Sequence, residues 1–70
     1  MAQVKVFYDR EGNTLTVWFE DPQAEYISEE IGDEVILMKT QTGRVIGFEK
    51  LNFSDTTAEQ VRVAFETIAA

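Results

Sequence analysis

The side chains in this sequence that could do chemistry are carboxylates rather than the usual nucleophiles and bases. The chain has 13 Asp and Glu residues but no histidine and no cysteine. Ser28 and Ser54 consequently lack the base that most often activates a serine nucleophile. The four glycines are scattered singly along the chain, so no loop that would cradle a phosphate group is indicated. We therefore expect a protein that is not an enzyme.

Adjacent carboxylates, such as Glu29 and Glu30, are the nearest candidates for acid–base catalysis or for a metal site. In a strand they would point to opposite faces of the sheet, so they would not meet at one substrate atom. A calcium site would need six or more oxygen ligands on a looped backbone. We expect no catalytic residue, no metal and no cofactor. A small enzyme that uses carboxylates and a divalent ion stays open as an alternative, as does a small-molecule-binding domain with a pocket at Trp18 and Phe48.

The charge of the chain is unevenly distributed. The net charge is −7, and no Lys or Arg occurs between Arg10 and Lys39. An acidic surface of this kind disfavours binding of nucleic acid or of anionic lipid, whereas it would attract a basic protein. The predicted acidic partner surface consists of Glu20, Asp21, Glu25, Glu29, Glu30, Asp33 and Glu34.

The elements that carry these side chains are predicted to be mainly strands. In residues 4–8 and 15–19, apolar or aromatic side chains recur at every second position, which is the period of a strand. The segment between them contains Gly12, which suits a tight turn. The resulting hairpin places Val6 opposite Val17, so that one continuous apolar face forms.

A second hairpin is predicted to join residues 35–39 to residues 45–51. The connection is a three-residue loop that ends at Gly43, a residue suited to the left-handed conformation. Counting outward from this loop, Ile36 lies opposite Phe48.

The remaining elements are a short strand and a helix. A short edge strand is expected within residues 25–30. Thr56 followed by Glu59 forms a capping box, and the apolar residues after it recur at helical spacing, which predicts a helix over residues 57–68. The predicted fold is therefore α+β: an antiparallel meander of about four strands with one C-terminal amphipathic helix on one face.

One helix cannot cover both faces of such a sheet, and both faces carry large apolar side chains. Exposed apolar patches of that size usually mark interfaces. We therefore expect a homodimer, although the sequence does not indicate which face the helix covers. The candidate interface residues are Phe7, Trp18, Ile36, Met38, Ile46 and Phe48.

Chain length supports the same expectation. The 70 residues, 1–70, are expected to form a single small domain, and a domain of this size is marginally stable alone. Without cysteine or histidine, the domain cannot be stabilised by disulfides or by histidine-bound metals. Association with a second copy is the means of stabilisation that is left. The lack of cysteine fits a reducing compartment, and no apolar run is long enough to span a bilayer. We expect a cytoplasmic protein that does not interact with membranes.

Several short motifs resemble a known family. They are Tyr8-Asp9 before the first turn, Leu15 to Phe19 after it, Val35-Ile36-Leu37, the run Gly43 to Asn52, and Ser54. In these features the chain is similar to the bacterial family of domain of unknown function 2283. The resemblance implies a compact β-rich fold without an assigned activity. It also implies that the chain could be an antitoxin-like partner of a small basic protein. The residues themselves predict an uncharacterised, acidic protein-binding module, and the two expectations agree.

Overall fold

The computed structural model describes residues 3–54 and 61–69. These residues form one five-stranded sheet and a short 3-10 helix over Pro22–Ala24. All strand pairs are antiparallel, and the order across the sheet is β1-β2-β5-β4-β3. The strands are β1 (Lys5–Asp9), β2 (Thr14–Trp18), β3 (Ile27–Gly32), β4 (Val35–Lys39) and β5 (Val45–Lys50).

The predicted α+β fold with a C-terminal helix is wrong. Residues 61–69 have no regular secondary structure, and residues 57–60 lie outside the described residues. Phe65 and Ile68, two apolar residues of the predicted helix, are 83% and 89% exposed. A helix of about twelve residues is marginal in water unless an apolar face packs against something, and this segment is rich in β-branched residues of low helix propensity. The helical spacing of apolar residues alone therefore did not suffice to predict a helix here.

The strand order also departs from the predicted meander of about four strands. The expected edge strand is present as β3, two residues later than predicted, but β5 inserts between β2 and β4. The segment after β2 consequently crosses the ends of β5 and β4 to reach the far edge. The Phe19 N–H donates to the Ile46 carbonyl at 2.7 Å, and the Tyr26 N–H donates to the Lys39 carbonyl at 2.8 Å. These two bonds attach both ends of the crossing segment to the sheet.

The first hairpin has the predicted register, with Val6 opposite Val17. Its turn follows from local chemistry. The Asp9 carboxylate accepts hydrogen bonds from the backbone N–H groups of Glu11 and Gly12, at 3.0 and 3.2 Å. An aspartate that bonds the amides two and three residues ahead stabilises a turn before any long-range contact forms.

The second hairpin has the predicted loop but a different register. Thr40 and Arg44 are joined by a backbone hydrogen bond of 2.9 Å, and Gly43 has a φ of 90°, as expected for a left-handed loop position. Beyond the loop, however, an irregularity leaves Ile46 as an extra residue on β5. A bulge of one residue reverses the faces of every later side chain. The predicted pairing of Ile36 with Phe48 is therefore wrong, because Ile36 lies opposite Glu49.

The register defines two faces of the sheet. We call them the Val17 face, which includes Val6, Leu15, Val17, Leu37 and Phe48, and the Trp18 face, which includes Phe7, Thr16, Trp18, Ile36, Met38 and Glu49. Among the described residues, the buried hydrophobic side chains are Val17, Met38 and Ile46. All three belong to the inner strands β2, β4 and β5, so the core of the subunit is small and central.

Gly47 allows the centre of the Trp18 face to pack closely. A Cβ atom at this position would lie 2.7 Å from the Val17 carbonyl oxygen and 2.9 Å from Cε3 of the Trp18 ring. Real Cβ atoms do not approach other heavy atoms so closely, so the Trp18 ring needs a glycine beneath it. Within residues 3–54 and 61–69, no helix has the length and hydropathy that crossing a membrane requires.

Candidate functional site

The exposed apolar side chains of the sheet concentrate on its two edge strands. On β1, Val6 and Phe7 are exposed, and Phe7 keeps 55% of its surface accessible. On β3, Ile27 and Ile31 are exposed, and every residue of that strand is at the surface. Single exposed apolar side chains are common on protein surfaces, but exposed apolar side chains along an edge strand usually mark a surface that contacts another chain. The two edges are therefore the candidate functional sites.

The six predicted interface residues do not lie on one surface. Phe7, Trp18, Ile36 and Met38 share the Trp18 face, whereas Phe48, which pairs with Val17 and Leu37, lies on the Val17 face. Met38 and Ile46 are buried within the subunit, and Trp18, Ile36 and Phe48 are half-buried. Phe7 is the member of this set that offers most of its surface to a partner. The role of these residues in an interface stays a prediction.

The free edge of β1 presents the backbone groups of Val6 and Tyr8. The Phe19 N–H donates to the Ile46 carbonyl just beyond the end of β2. Every second residue along β2, including Val17, therefore also directs its backbone N–H and C=O groups toward β5. Thr16 then faces β1, where it pairs with Phe7. The N–H and C=O groups of the flanking Val6 and Tyr8 consequently point away from the sheet. Strand order places no further strand of the described residues on that side.

The opposite edge of the sheet, formed by β3, also presents free backbone groups. The Leu51 N–H donates to the Glu34 carbonyl at 2.8 Å, which directs alternate residues of β4 toward β5. Leu37 therefore faces β3, where it pairs with Glu29. It follows that Ser28 and Glu30 direct their backbone groups outward. An added strand could hydrogen-bond to either edge of the sheet.

The predicted acidic partner surface is accessible throughout. Two of its carboxylates form ion pairs: Glu29 Oε1 lies 2.7 Å from Lys39 Nζ, and Glu20 Oε1 lies 2.8 Å from an Arg44 guanidinium nitrogen. In the described part of the chain no three acidic side chains come together as a metal site would require. The exposed members are Glu20, Asp21, Glu25, Glu29, Glu30, Asp33 and Glu34.

The turn between β3 and β4 adds two of these acids in an uncommon backbone conformation. Asp33 and Glu34 have φ values of 52° and 60°, directly after Gly32 at 105°. A left-handed conformation costs roughly 1–2 kcal/mol for a residue with a side chain, and glycine or asparagine normally fills it. The Glu34 carboxylate gains a hydrogen bond of 2.7 Å from the Asn52 side chain. The turn thus keeps two carboxylates at the end of the β3 edge despite a conformational cost.

One carboxylate lies within the sheet rather than at its rim. Glu49 is half-buried on the Trp18 face, where its Oε2 accepts a hydrogen bond of 3.1 Å from the Thr16 hydroxyl. The neighbouring Lys50 donates instead to the backbone carbonyls of Asp33 and Leu51. Glu49 therefore stands next to one hydroxyl group, and within residues 3–54 and 61–69 it belongs to no group of three acidic side chains that could hold a metal ion.

A family model described as protein of unknown function (DUF2283) matches residues 5–54. The match covers the whole sheet. The chain belongs to the DUF2283 family. No curated protein and no solved structure matches it.

The DUF2283 match ends at Ser54, a residue that is attached to the first turn. The Asn13 side chain donates from Nδ2 to the Ser54 carbonyl at 2.9 Å, and its Oδ1 accepts from the Ser54 N–H at 3.0 Å. The same Oδ1 accepts from the Tyr8 hydroxyl at 3.2 Å, and the Asn13 carbonyl accepts from the Phe53 N–H at 3.0 Å. The Tyr8 and Phe53 rings meet edge to face at 5.9 Å. The sequence does not predict this cluster, because contacts across 41 residues leave no local pattern.

Asn13→Gly is expected to destabilise the DUF2283 protein by about 1–3 kcal/mol, because glycine keeps the positive φ but removes the three side-chain hydrogen bonds. Asn52→Gly is the matched control, since Asn52 also has a positive φ, 49°, and makes one exposed side-chain bond. Urea unfolding of both variants at the same protein concentration measures the difference. Equal losses in the two variants would contradict this role for Asn13.

Proposed function

We propose that this DUF2283 protein is a small acidic protein-binding module that acts as a homodimer rather than as an enzyme. The observation that supports the proposal most directly is the distribution of apolar exposure. The buried apolar residues of the described sheet lie on inner strands, while Phe7 and Ile27 on the two edge strands are more than half exposed. Exposed edge strands with apolar side chains of this kind can pair with a strand of another chain. The lack of cysteine is consistent with a cytoplasmic module.

The energetics of a small sheet support the same proposal. A single layer of strands buries little apolar surface, and each square ångström removed from water contributes only about 25 cal/mol. Chains of about 70 residues gain little net stability from one core. Three buried hydrophobic residues among those described are few for a chain of 8.0 kDa. A second copy would bury part of the surface that one subunit leaves in water.

Sedimentation equilibrium of the wild-type chain at micromolar concentration is expected to give twice the mass of the 8.0 kDa chain. The reason is that association removes exposed apolar side chains from water. Dilution should shift the average mass toward one chain, as mass action requires. A single 8.0 kDa species over the whole concentration range would contradict the proposal.

The β3 edge favours a second activity, the binding of a basic partner protein. This strand is exposed along its length, and Glu29 and Glu30 lie in its middle. Glu25 precedes the strand, and the turn after it carries the acidic pair at positions 33 and 34. A surface of one charge accelerates encounter with the opposite charge and selects against partners of like charge. An antitoxin-like interaction with a small basic protein would use these properties.

For a partner purified with the chain from its native host, Glu30→Lys is expected to lower affinity about tenfold or more at low salt, through loss of charge attraction. The control is Glu11→Lys, which makes the same charge change at an exposed position in the first turn. Titration calorimetry at two salt concentrations measures both affinities. Equal effects of the two substitutions would show that the β3 edge is not the contact.

A further inference from the structure

We propose that the homodimer forms by antiparallel pairing of β1 with β1 of a second copy, around a two-fold axis at Phe7. This inference rests on the proposed function, since it names the surface through which the two copies associate. The paired edges would join two five-stranded sheets into one continuous sheet across the axis. Such a contact uses the same strand on both copies, so it closes at two subunits.

The backbone geometry of β1 suits this pairing. Val6 and Tyr8 direct their N–H and C=O groups away from β2, as the register of the sheet requires. With Phe7 opposite Phe7 of the second copy, each Val6 lies opposite a Tyr8. Both members of that pair then face the seam and exchange hydrogen bonds, while the Phe7 pair occupies the closer, non-hydrogen-bonded position.

The side chains are complementary in the same register. On the Val17 face, Val6 of one copy lies beside Tyr8 of the other, and on the Trp18 face the two Phe7 rings are neighbours. Aromatic pairs and aromatic–aliphatic pairs across strands are favourable. Phe7 is 55% exposed in the single subunit, so the seam removes a large ring from water.

The charges at the two ends of β1 select this register. Lys5 lies opposite Asp9 of the second copy, and the two-fold axis makes the pair occur twice. The Lys5 ammonium group has no hydrogen bond or ion pair within the described residues, and neither has Asp9 Oδ2, because the turn uses Oδ1. Opposite charges directly across two strands are favourable, whereas like charges are unfavourable.

The opposite edge cannot make an equivalent contact with itself. Antiparallel pairing of two β3 strands centred on Glu29 would place the carboxylates of the two Glu29 copies directly opposite each other on one face of the joined sheet. Charged residues at the centre of an edge strand are a common means by which proteins prevent such pairing. The two edges therefore differ in partner: β1 pairs with a second copy, and β3 is left to a chain of opposite charge.

A disulfide test uses the absence of native cysteine, since each variant then carries a single thiol. Phe7→Cys is expected to form a covalent dimer under mild oxidation, because non-hydrogen-bonded partners lie about 4.5 Å apart between Cα atoms, within disulfide range. Lys5→Cys is the control. Its two thiols would be offset by four residues, about 13 Å, and should not form the bond. Covalent dimer is measured on a non-reducing gel.

A second variant tests the register through charge. Lys5→Glu places a glutamate opposite Asp9 at both ends of the seam, and it should weaken dimerisation about tenfold at low salt, with a smaller effect at high salt. Arg62→Glu, an equal change outside the sheet, should leave the dimerisation constant unchanged. Sedimentation equilibrium measures both constants.

The outcomes separate this inference from the proposed function. Cross-linking at position 7 but not at position 5, together with weakening by Lys5→Glu, supports the β1 seam. A wild-type dimer whose position 7 does not cross-link, or that is indifferent to Lys5→Glu, overturns the seam but leaves the homodimer in place. A wild-type monomer overturns both.

Discussion

A single layer of strands has two faces and two edges to cover, and this constraint governs the rest of the structure. Inner strands receive cover from their neighbours, and the crossing segment after β2 adds more over the ends of β5 and β4, so Val17, Met38 and Ile46 are buried. The edge strands have a neighbour on one side only, and their apolar side chains remain in water. The described part of the chain forms no second layer that would change this balance.

The bulge at Ile46 determines the register of β4 against β5. Its extra residue places Gly47 opposite Met38, while the regular β2–β5 pairing places Gly47 opposite Trp18, so the indole ring lies against the backbone of β5. Phe48 lies on the Val17 face, where its ring centre is 6.0 Å from that of Phe19. Without the bulge Phe48 would lie opposite Ile36. The bulge thus decides which side chains of β4 share a face with Phe48.

Features with local causes could be predicted from the sequence, and features with distant causes could not. The first hairpin follows from the Asp9 turn, the glycine loop from Gly43, and the exposure of the acids from their charge. The bulge at Ile46 has no local signal, because the Gly43 loop is compatible with the register with or without an extra residue on β5. The absence of a helix over residues 61–69 likewise reflects the lack of a packing partner, which periodicity does not reveal. The sequence predicts Phe7 as an interface candidate, but the strand order is needed to place it on a free edge.

The two edges differ in charge in a way that composition alone does not indicate. One edge carries a lysine and an aspartate at matching ends and is electrically balanced, while the other carries most of its charge as carboxylates. In the proposed function, self-association and recognition of a basic chain would therefore use different surfaces of the same sheet. The most direct test of the central claim is the urea midpoint of the wild-type chain over about a hundredfold range of protein concentration. If a second copy completes the fold, the urea midpoint rises with protein concentration. The apparent free energy of unfolding then increases by up to about 2.7 kcal/mol over this range. An identical, cooperative transition at every concentration would contradict the account.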